Sequence, residues 1–265
     1  MTERERIVVR GGGDLATGVI QKFHRAGFHV LVLEAARPTA IRRTVSLSEA
    51  VYRGVAAVED MTARLAGDER AIDAALDAGE IPLAVDPEGR WIERFKPRCV
   101  VDAILAKRNL GTFRGMAPAT IAVGPGFVAG VDVDCVIESM RGHDLGRLIF
   151  EGAALPNTGT PGEIGGKSAE RVIHAPCTGV VRPVRAIGDV VAAGETLCFV
   201  GDQPVAAPIA GLLRGLIAEG LSVPRGMKMA DVDPRTDVDW HTISDKARAI
   251  GGGALEAYLY LRRNV

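Results

Sequence analysis

The chain has 265 residues, a formal net charge of −1 and 47% hydrophobic residues. That apolar content excludes a disordered chain, and the near balance of charge argues against bulk binding to nucleic acid or an anionic membrane. Its 32 glycines carry no Gly-X-Y period, which excludes collagen.

The opening MTERERIVVR has no signal-peptide pattern. The most apolar stretch, Ile121 to Val131, is too short and glycine-rich to span a bilayer. A cytoplasmic protein with no nucleic-acid and no membrane partner is expected. Cys99, Cys135, Cys177 and Cys198 show no C-x-x-C spacing. They read as small buried hydrophobes in a reducing compartment, and no metal site is expected.

Ile7–Val9 reads as a buried strand, followed at once by Gly11-Gly12-Gly13-Asp14. A helix over 15–26 and a strand over 29–34 come next. Gly11, Gly13 and Ala16 fit G-x-G-x-x-G/A within the strand–turn–helix–strand order that a dinucleotide turn needs. Gly11 suits the tight turn, Gly13 the close approach of a pyrophosphate, and the helix start offers free N–H groups. The candidate cofactor-binding residues here are Gly11, Gly12, Gly13, Asp14, Gly18 and Glu34. Asp14 is awkward beside a phosphate and is read alternatively as a helix cap. Glu34 stands where an acid binds a ribose hydroxyl, while Arg37, Arg42 and Arg43 suit a phosphate, so NAD, NADP and other nucleotides stay open.

Residues 47–78 read as helical, rich in alanine and acids. Ile81–Val85 and Cys99–Val101 read as further strands. Asp102, at a strand's carboxyl end, is a candidate catalytic residue or the cap of a helix over 103–108. Lys107 is a second catalytic candidate, although Lys107 and Arg108 equally suit a helix C-terminus.

Twelve of the glycines fall in residues 111–166. Thr120–Val123 reads as a strand broken by Gly124-Pro125-Gly126-Phe127, and an extended pattern resumes over 131–137. Arg141-Gly-His143-Asp, Asn157-Thr-Gly159-Thr-Pro-Gly162 and Gly165-Gly166-Lys167 follow. Loops of this composition carry function or link mobile parts. Gly124, Gly126 and Arg141 are taken as cofactor-binding candidates and His143 as a catalytic one. The ligand is expected in this segment.

The C-terminal half repeats itself. Ala175-Pro176-x-x-Gly179 recurs as Ala207-Pro208-x-x-Gly211, and Gly188-x-x-Val191-x-x-Gly194 as Gly220-x-x-Val223-x-x-Gly226. These positions resemble the biotinyl/lipoyl carrier domain, a barrel-sandwich hybrid, over about residues 172–232. The hairpin between the halves, Gly201-Asp202-Gln203-Pro204, has no carrier lysine. Met227-Lys228-Met229 looks like a biotin acceptor but is misplaced, so neither biotin nor lipoyl is expected. Ser244 reads as a helix cap, and Gly251-Gly252-Gly253 as an interruption of that helix or a site of close backbone packing.

Several motifs then occur in order: Arg10-Gly-Gly-Gly-Asp-Leu-Ala-Thr-Gly18, Asp102-Ala-Ile-Leu-Ala-Lys-Arg-Asn109, Gly124-Pro-Gly-Phe127 and Arg141-Gly-His-Asp-Leu-Gly-Arg147. Asn157-Thr-Gly159, Asp231-Val-Asp-Pro-Arg235 and Ser244-Asp-Lys246 complete the series. Together they resemble the selenium-dependent molybdenum hydroxylase accessory proteins, the YqeB family, over nearly the whole chain. The resemblance implies a cytosolic maturation factor linked to labile selenium, with a molybdenum hydroxylase client; the glycine turn adds the expectation of a bound nucleotide or dinucleotide, NAD(P) or a molybdopterin dinucleotide. An NAD(P)-dependent oxidoreductase and a non-catalytic binding scaffold are the alternatives.

The expected fold is an α/β Rossmann-like N-terminal domain with a mostly-β barrel-sandwich hybrid. The boundaries are 1–110 for the nucleotide-binding domain, 111–170 for a glycine-rich segment attached to it, 171–235 for the hybrid and 236–265 for a helical end. A homo-oligomer is expected.

Overall fold

A computed structural model describes residues 4–157, 159 and 166–264. Thr158 and 160–165, part of the polar loops singled out above, lie outside the described residues. Two compact units divide the chain, one of residues 1–38, 46–157 and 243–265, the other of residues 39–45 and 158–242.

The first unit opens with β1 (Arg6–Arg10), α1 (Asp14–Arg25) and β2 (His29–Glu34). Then come α2 (Ala50–Arg53), β3 (Val55–Val58), β4 (Met61–Leu65), α3 (Glu69–Asp77), β5 (Ile81–Val85), α4 (Trp91–Phe95) and β6 (Cys99–Asp102). β7 (Ala119–Val123), β8 (Val128–Ala129), β9 (Cys135–Ile137), β10 (Leu148–Ile149) and β11 (Gly152–Ala153) follow. Nine strands form one sheet in the order β10-β9-β7-β6-β1-β2-β5-β4-β3. The seven inner strands are parallel to their neighbours, and β3 and β10 are antiparallel edges. Central strands read as continuous apolar runs because helices and loops cover both faces. Ile7, Val8 and Val9 are fully buried.

The second unit contains β12 (Val172–His174), β13 (Gly179–Pro183), β14 (Val190–Val191), β15 (Thr196–Val200), β16 (Gln203–Ala206), β17 (Gly211–Leu216), β18 (Ser222–Val223) and β19 (Lys228–Asp233). The repeat is visible in the strand starts: Gly179 and Gly211, Val190 and Ser222, Thr196 and Lys228 each lie 32 residues apart. The copies exchange strands, giving sheets β12-β19-β17-β14 and β16-β15-β13-β18. Buried Val181, Leu197, Val200, Leu213 and Met229 form their core.

This architecture corrects the expected pairing of a Rossmann-like domain with a barrel-sandwich hybrid. A Rossmann sheet is wound by helical crossovers. Here the parallel step from β6 to β7 contains no helix, and antiparallel strands end the sheet on both sides. In the second unit the strands make two open four-stranded sheets with edges at β12, β14, β16 and β18, so no ring of strand pairs closes.

Three local expectations also change. Residues 47–78 are not one helical stretch: β3 and β4 form a hairpin there on a Glu59-Asp60 turn, with Glu59 at φ 52°. Residues 103–108 are not helical, since Leu105 (φ 58°) and Lys107 (φ 62°) take the left-handed conformation. Gly251–Gly253 do not interrupt the last helix, α5 (Asp245–Leu261), which Ser244 caps by accepting from the Ala247 N–H. α5 lies against α1 so closely that a Cβ on Gly18 would fall 2.3 Å from the Ala247 carbonyl oxygen.

Candidate functional site

In open α/β sheets, ligands bind beyond the carboxyl ends of the strands. At that edge β1, β2, β6 and β7 each deliver a turn. After β1, Gly11 (φ 98°) donates its N–H to the Leu33 carbonyl at 2.7 Å. A Cβ there would meet the Ala103 carbonyl oxygen at 2.9 Å, so only glycine lets the loop after β6 come this near. On its far side the same loop meets Gly126 (φ 111°), whose Cβ would stand 2.7 Å from the Arg108 nitrogen. The 103–108 segment is thus wedged between two glycine turns, which overrides its helical composition. Gly124 comes equally close to the Ser139 hydroxyl.

Two buried acids organise this edge. Glu34 accepts the Gly12 N–H on Oε2 and the Ala35 N–H on Oε1, both at 2.7 Å. Burial raises its pKa, against the lowering effect of those two N–H bonds. Asp102 is 2% exposed, and its neighbour in register on β1 is Arg10, also 2% exposed. The Thr112 hydroxyl links them, donating to Asp102 Oδ2 at 2.6 Å and accepting from Arg10 Nη1 at 2.5 Å. Arg10 also donates to the Pro87 carbonyl at 2.8 Å, and Asp102 Oδ1 accepts the Ile104 N–H at 3.1 Å. Burial raises the Asp102 pKa, opposed by Thr112, Ile104 and Arg10. A third acid, Glu138 after β9, accepts the Met140 and Leu155 N–H groups at 2.7 and 2.8 Å.

The structure thus brings Gly11, Gly12, Gly13, Glu34, Asp102 and Gly126 to the same edge. Gly13 is the N-cap residue of α1, with no side-chain cap bond, and a Cβ there would meet nothing within 4 Å. Asp14 is therefore not the cap; it is the first helical residue and accepts the Leu15 N–H at 2.9 Å. Gly18 sits in the α1–α5 seam, where its role is packing. Arg141 is bound through both terminal nitrogens to Asp245, at 2.8 and 3.0 Å. Lys107 and His143 are exposed.

Thr112 and Ser48 stand in none of the sequence motifs, and Arg10 and Thr17 only within the first of them, with no role given to either. The one local signal was a charged residue closing an otherwise apolar strand, which Arg10 and Asp102 share. At this edge the groups that could hold a phosphate and a ribose are the start of α1, whose N-cap residue Gly13 brings no side chain, and the Glu34 carboxylate at the end of β2. Among the described residues no group of three or more His, Cys, Asp or Glu side chains could hold a metal ion. No described helix is long and apolar enough to cross a membrane. An open groove of about 590 Å³ lies at the opposite edge, before β6 and β7, lined by Ile92, Lys96, Arg98, Met116 and Pro118. None of the candidate residues lines it.

No protein-family model matches the chain. Solved structures with some likeness include the product-bound ectoine utilization protein EutE (DoeB) from Ruegeria pomeroyi. It is 12% identical with a TM-score of 0.23, over 80% of this chain and 61% of that one. Another is a succinylglutamate desuccinylase/aspartoacylase from Rhodobacter sphaeroides, 15% identical with a TM-score of 0.27, over 87% and 86%. The sequence relative is different in kind: "Uncharacterized protein YqeB" of Escherichia coli (strain K12) is 48% identical over 256 residues, which are 96% of this chain and 47% of that protein. The chain therefore spans about half the length of the curated relative it matches. Over those 256 residues the chain is similar to this YqeB protein.

Proposed function

We propose that this protein is a cytoplasmic accessory factor in the maturation of molybdenum hydroxylases, the selenium-dependent ones included. It binds a nucleotide, or the nucleotide part of a dinucleotide-bearing cofactor, at the Gly11–Gly13 turn. What supports the binding reading is the start of α1, where the N-cap residue Gly13 brings no side chain and leaves open space, beside the Glu34 carboxylate fixed on the Gly12 N–H. The helix supplies N–H groups and partial positive charge to a phosphate, and the acid can accept from a ribose hydroxyl. The maturation role is supported by the ordered motifs that resemble the YqeB family.

Two measurements test the two parts separately. Thermal unfolding with NAD, NADP, ATP and CTP reads binding: a ligand at 100 times its Kd adds about 2.7 kcal/mol of stability. No shift with any of the four, nor with a molybdopterin dinucleotide, overturns nucleotide binding at the turn. Deletion of the gene reads the pathway: molybdenum hydroxylase activity and selenium content should both fall. Intact activity and selenium in the deletion strain overturn the maturation role.

A further inference from the structure

The two edges of the nine-stranded sheet are built differently. At one end β10 has only two residues, Leu148 and Ile149, too few to template a further strand. At the other end β3 has four, Val55-Ala56-Ala57-Val58, with no charge, no proline and no bulge in its pairing with β4. Natural sheets blunt an exposed edge with such devices, because its unpaired N–H and C=O groups can pair with another chain. β3 has none of them.

The register shows which groups are unpaired. Along an antiparallel pair, residues alternate between bonding across and bonding outward. The Leu65 N–H donates to the Gly54 carbonyl at 2.8 Å, while the Ala66 N–H donates the other way, to the Leu83 carbonyl on β5, also at 2.8 Å. Gly54, Ala56 and Val58 therefore bond to β4, and Val55 and Ala57 turn their N–H and C=O groups away from it. β3 ends the sheet, and among the described residues no backbone group bonds to Val55 or Ala57 from that side. Both residues also have exposed side chains.

A second β3 fits this edge. In antiparallel pairing about a two-fold axis at Ala56, Val55 of each copy lies opposite Ala57 of the other. Each such pair exchanges both N–H···O bonds, so every outward N–H and C=O of the two strands is used. Ala56 faces its own copy on the axis, in a non-bonded pair where side chains come closest and a methyl fits. Val55 meets Ala57 on one face, apolar against apolar. The flanking charges agree with this direction. Arg53, mostly exposed although 3.6 Å from Glu49, stands before β3, and Glu59 and Asp60, which share Arg25, stand after it. Antiparallel pairing turns the cation end of one copy toward the acid end of the other.

We infer that this protein forms a two-fold symmetric homodimer through β3, joining the two nine-stranded sheets edge to edge. The inference does not depend on the nucleotide reading. A ladder this short is a small interface, so the dimer dissociates on dilution.

The test is sedimentation velocity of the full chain from low to high micromolar concentration, with amide hydrogen exchange at both ends of that range. The wild type should pass from monomer to dimer, and the Val55 and Ala57 amides should exchange about 10-fold more slowly in the dimer. Ala57→Pro removes an N–H that β4 does not use, which an edge strand tolerates, and Ala57→Lys puts a charge at an exposed position. Both variants should stay monomeric throughout, with the circular dichroism of wild type. If Ala57→Pro fails to fold, Ala57→Lys decides, and the exchange measurement on wild type needs no variant. A wild type that stays monomeric, or folded variants that dimerise as wild type does, overturn the inference. So does a dimer whose Val55 and Ala57 amides exchange as fast as in the monomer, since the contact then lies elsewhere.

Discussion

Arg10 and Asp102 are charges buried side by side at the ends of β1 and β6, an ion pair at 3.9 Å that the Thr112 hydroxyl bridges with two hydrogen bonds. Removing that hydroxyl while keeping the shape leaves a buried donor and a buried acceptor each short of a partner. Thr112→Val should therefore lower stability by about 1–3 kcal/mol, measured by urea unfolding. A change within error would show that the Arg10–Asp102 ion pair, 3.9 Å apart, closes to hydrogen-bond distance once the threonine hydroxyl is gone. A second residue-scale prediction concerns pH. Arg25 donates to both oxygens of Asp60 at 2.8 Å and holds its carboxyl at about 2, below the usual 3.8. A depressed carboxyl stabilises the fold above its unfolded pKa, and that contribution is lost as pH falls from about 4 through about 2. Asp60 is half exposed, so the contribution is below about 1 kcal/mol. Asp60→Asn should be less stable than wild type at pH 7, with the gap closing by pH 2. A gap independent of pH would rule out the ion pair as its source.

At the scale of elements, three consecutive glycines have different roles within one helix. A Cβ on Gly251 would lie 2.2 Å from the Gly18 carbonyl oxygen, and one on Gly253 2.3 Å from the Gly146 carbonyl oxygen, whereas Gly252 faces open space. Gly252→Ala should stabilise by about 1 kcal/mol, because alanine is the better helix former and nothing blocks its methyl. Gly251→Ala should destabilise by about 1–3 kcal/mol by overpacking the α1–α5 seam. Thermal melts of both variants check this, and a rise in melting temperature for Gly251→Ala would mean that the seam yields easily. Helix propensity marks Gly251–Gly253 as a break, and that reading fails because two of the three glycines are needed by a neighbour more than 100 residues away in the chain. Residues 103–108 fail for the same kind of reason, with Gly11 and Gly126 drawing the loop between them. Ser244, by contrast, was legible as a cap, since its bond to the Ala247 N–H spans only three residues.

For the whole molecule, the second unit takes in a piece of chain that the sequence does not mark as part of it. Residues 39–45 lie against β17: the Leu216 N–H donates to the Ile41 carbonyl and Arg43 Nε to the Leu216 carbonyl, each at 2.9 Å. Gly215 makes room for Ile41, whose Cγ2 would be 2.7 Å from a Cβ there. Arg43→Ala should cost about 1–2 kcal/mol and speed amide exchange at Leu216. Unchanged exchange there would show that the segment does not hold the strand.

The sequence by itself determined the inner strands β1, β2, β5, β6 and β7, the glycine turn before α1, and the 32-residue repeat. These are written in local runs and fixed spacings, which depend on residues close together in the chain. Only the tertiary structure decided that the sheet is mixed and nine strands wide and that the repeated strands form two open sheets. It alone set Gly18 in a helix seam, tied Arg141 to Asp245, and placed Ser48 against Gly12. Each of those depends on which distant backbones approach one another, and no local pattern encodes that.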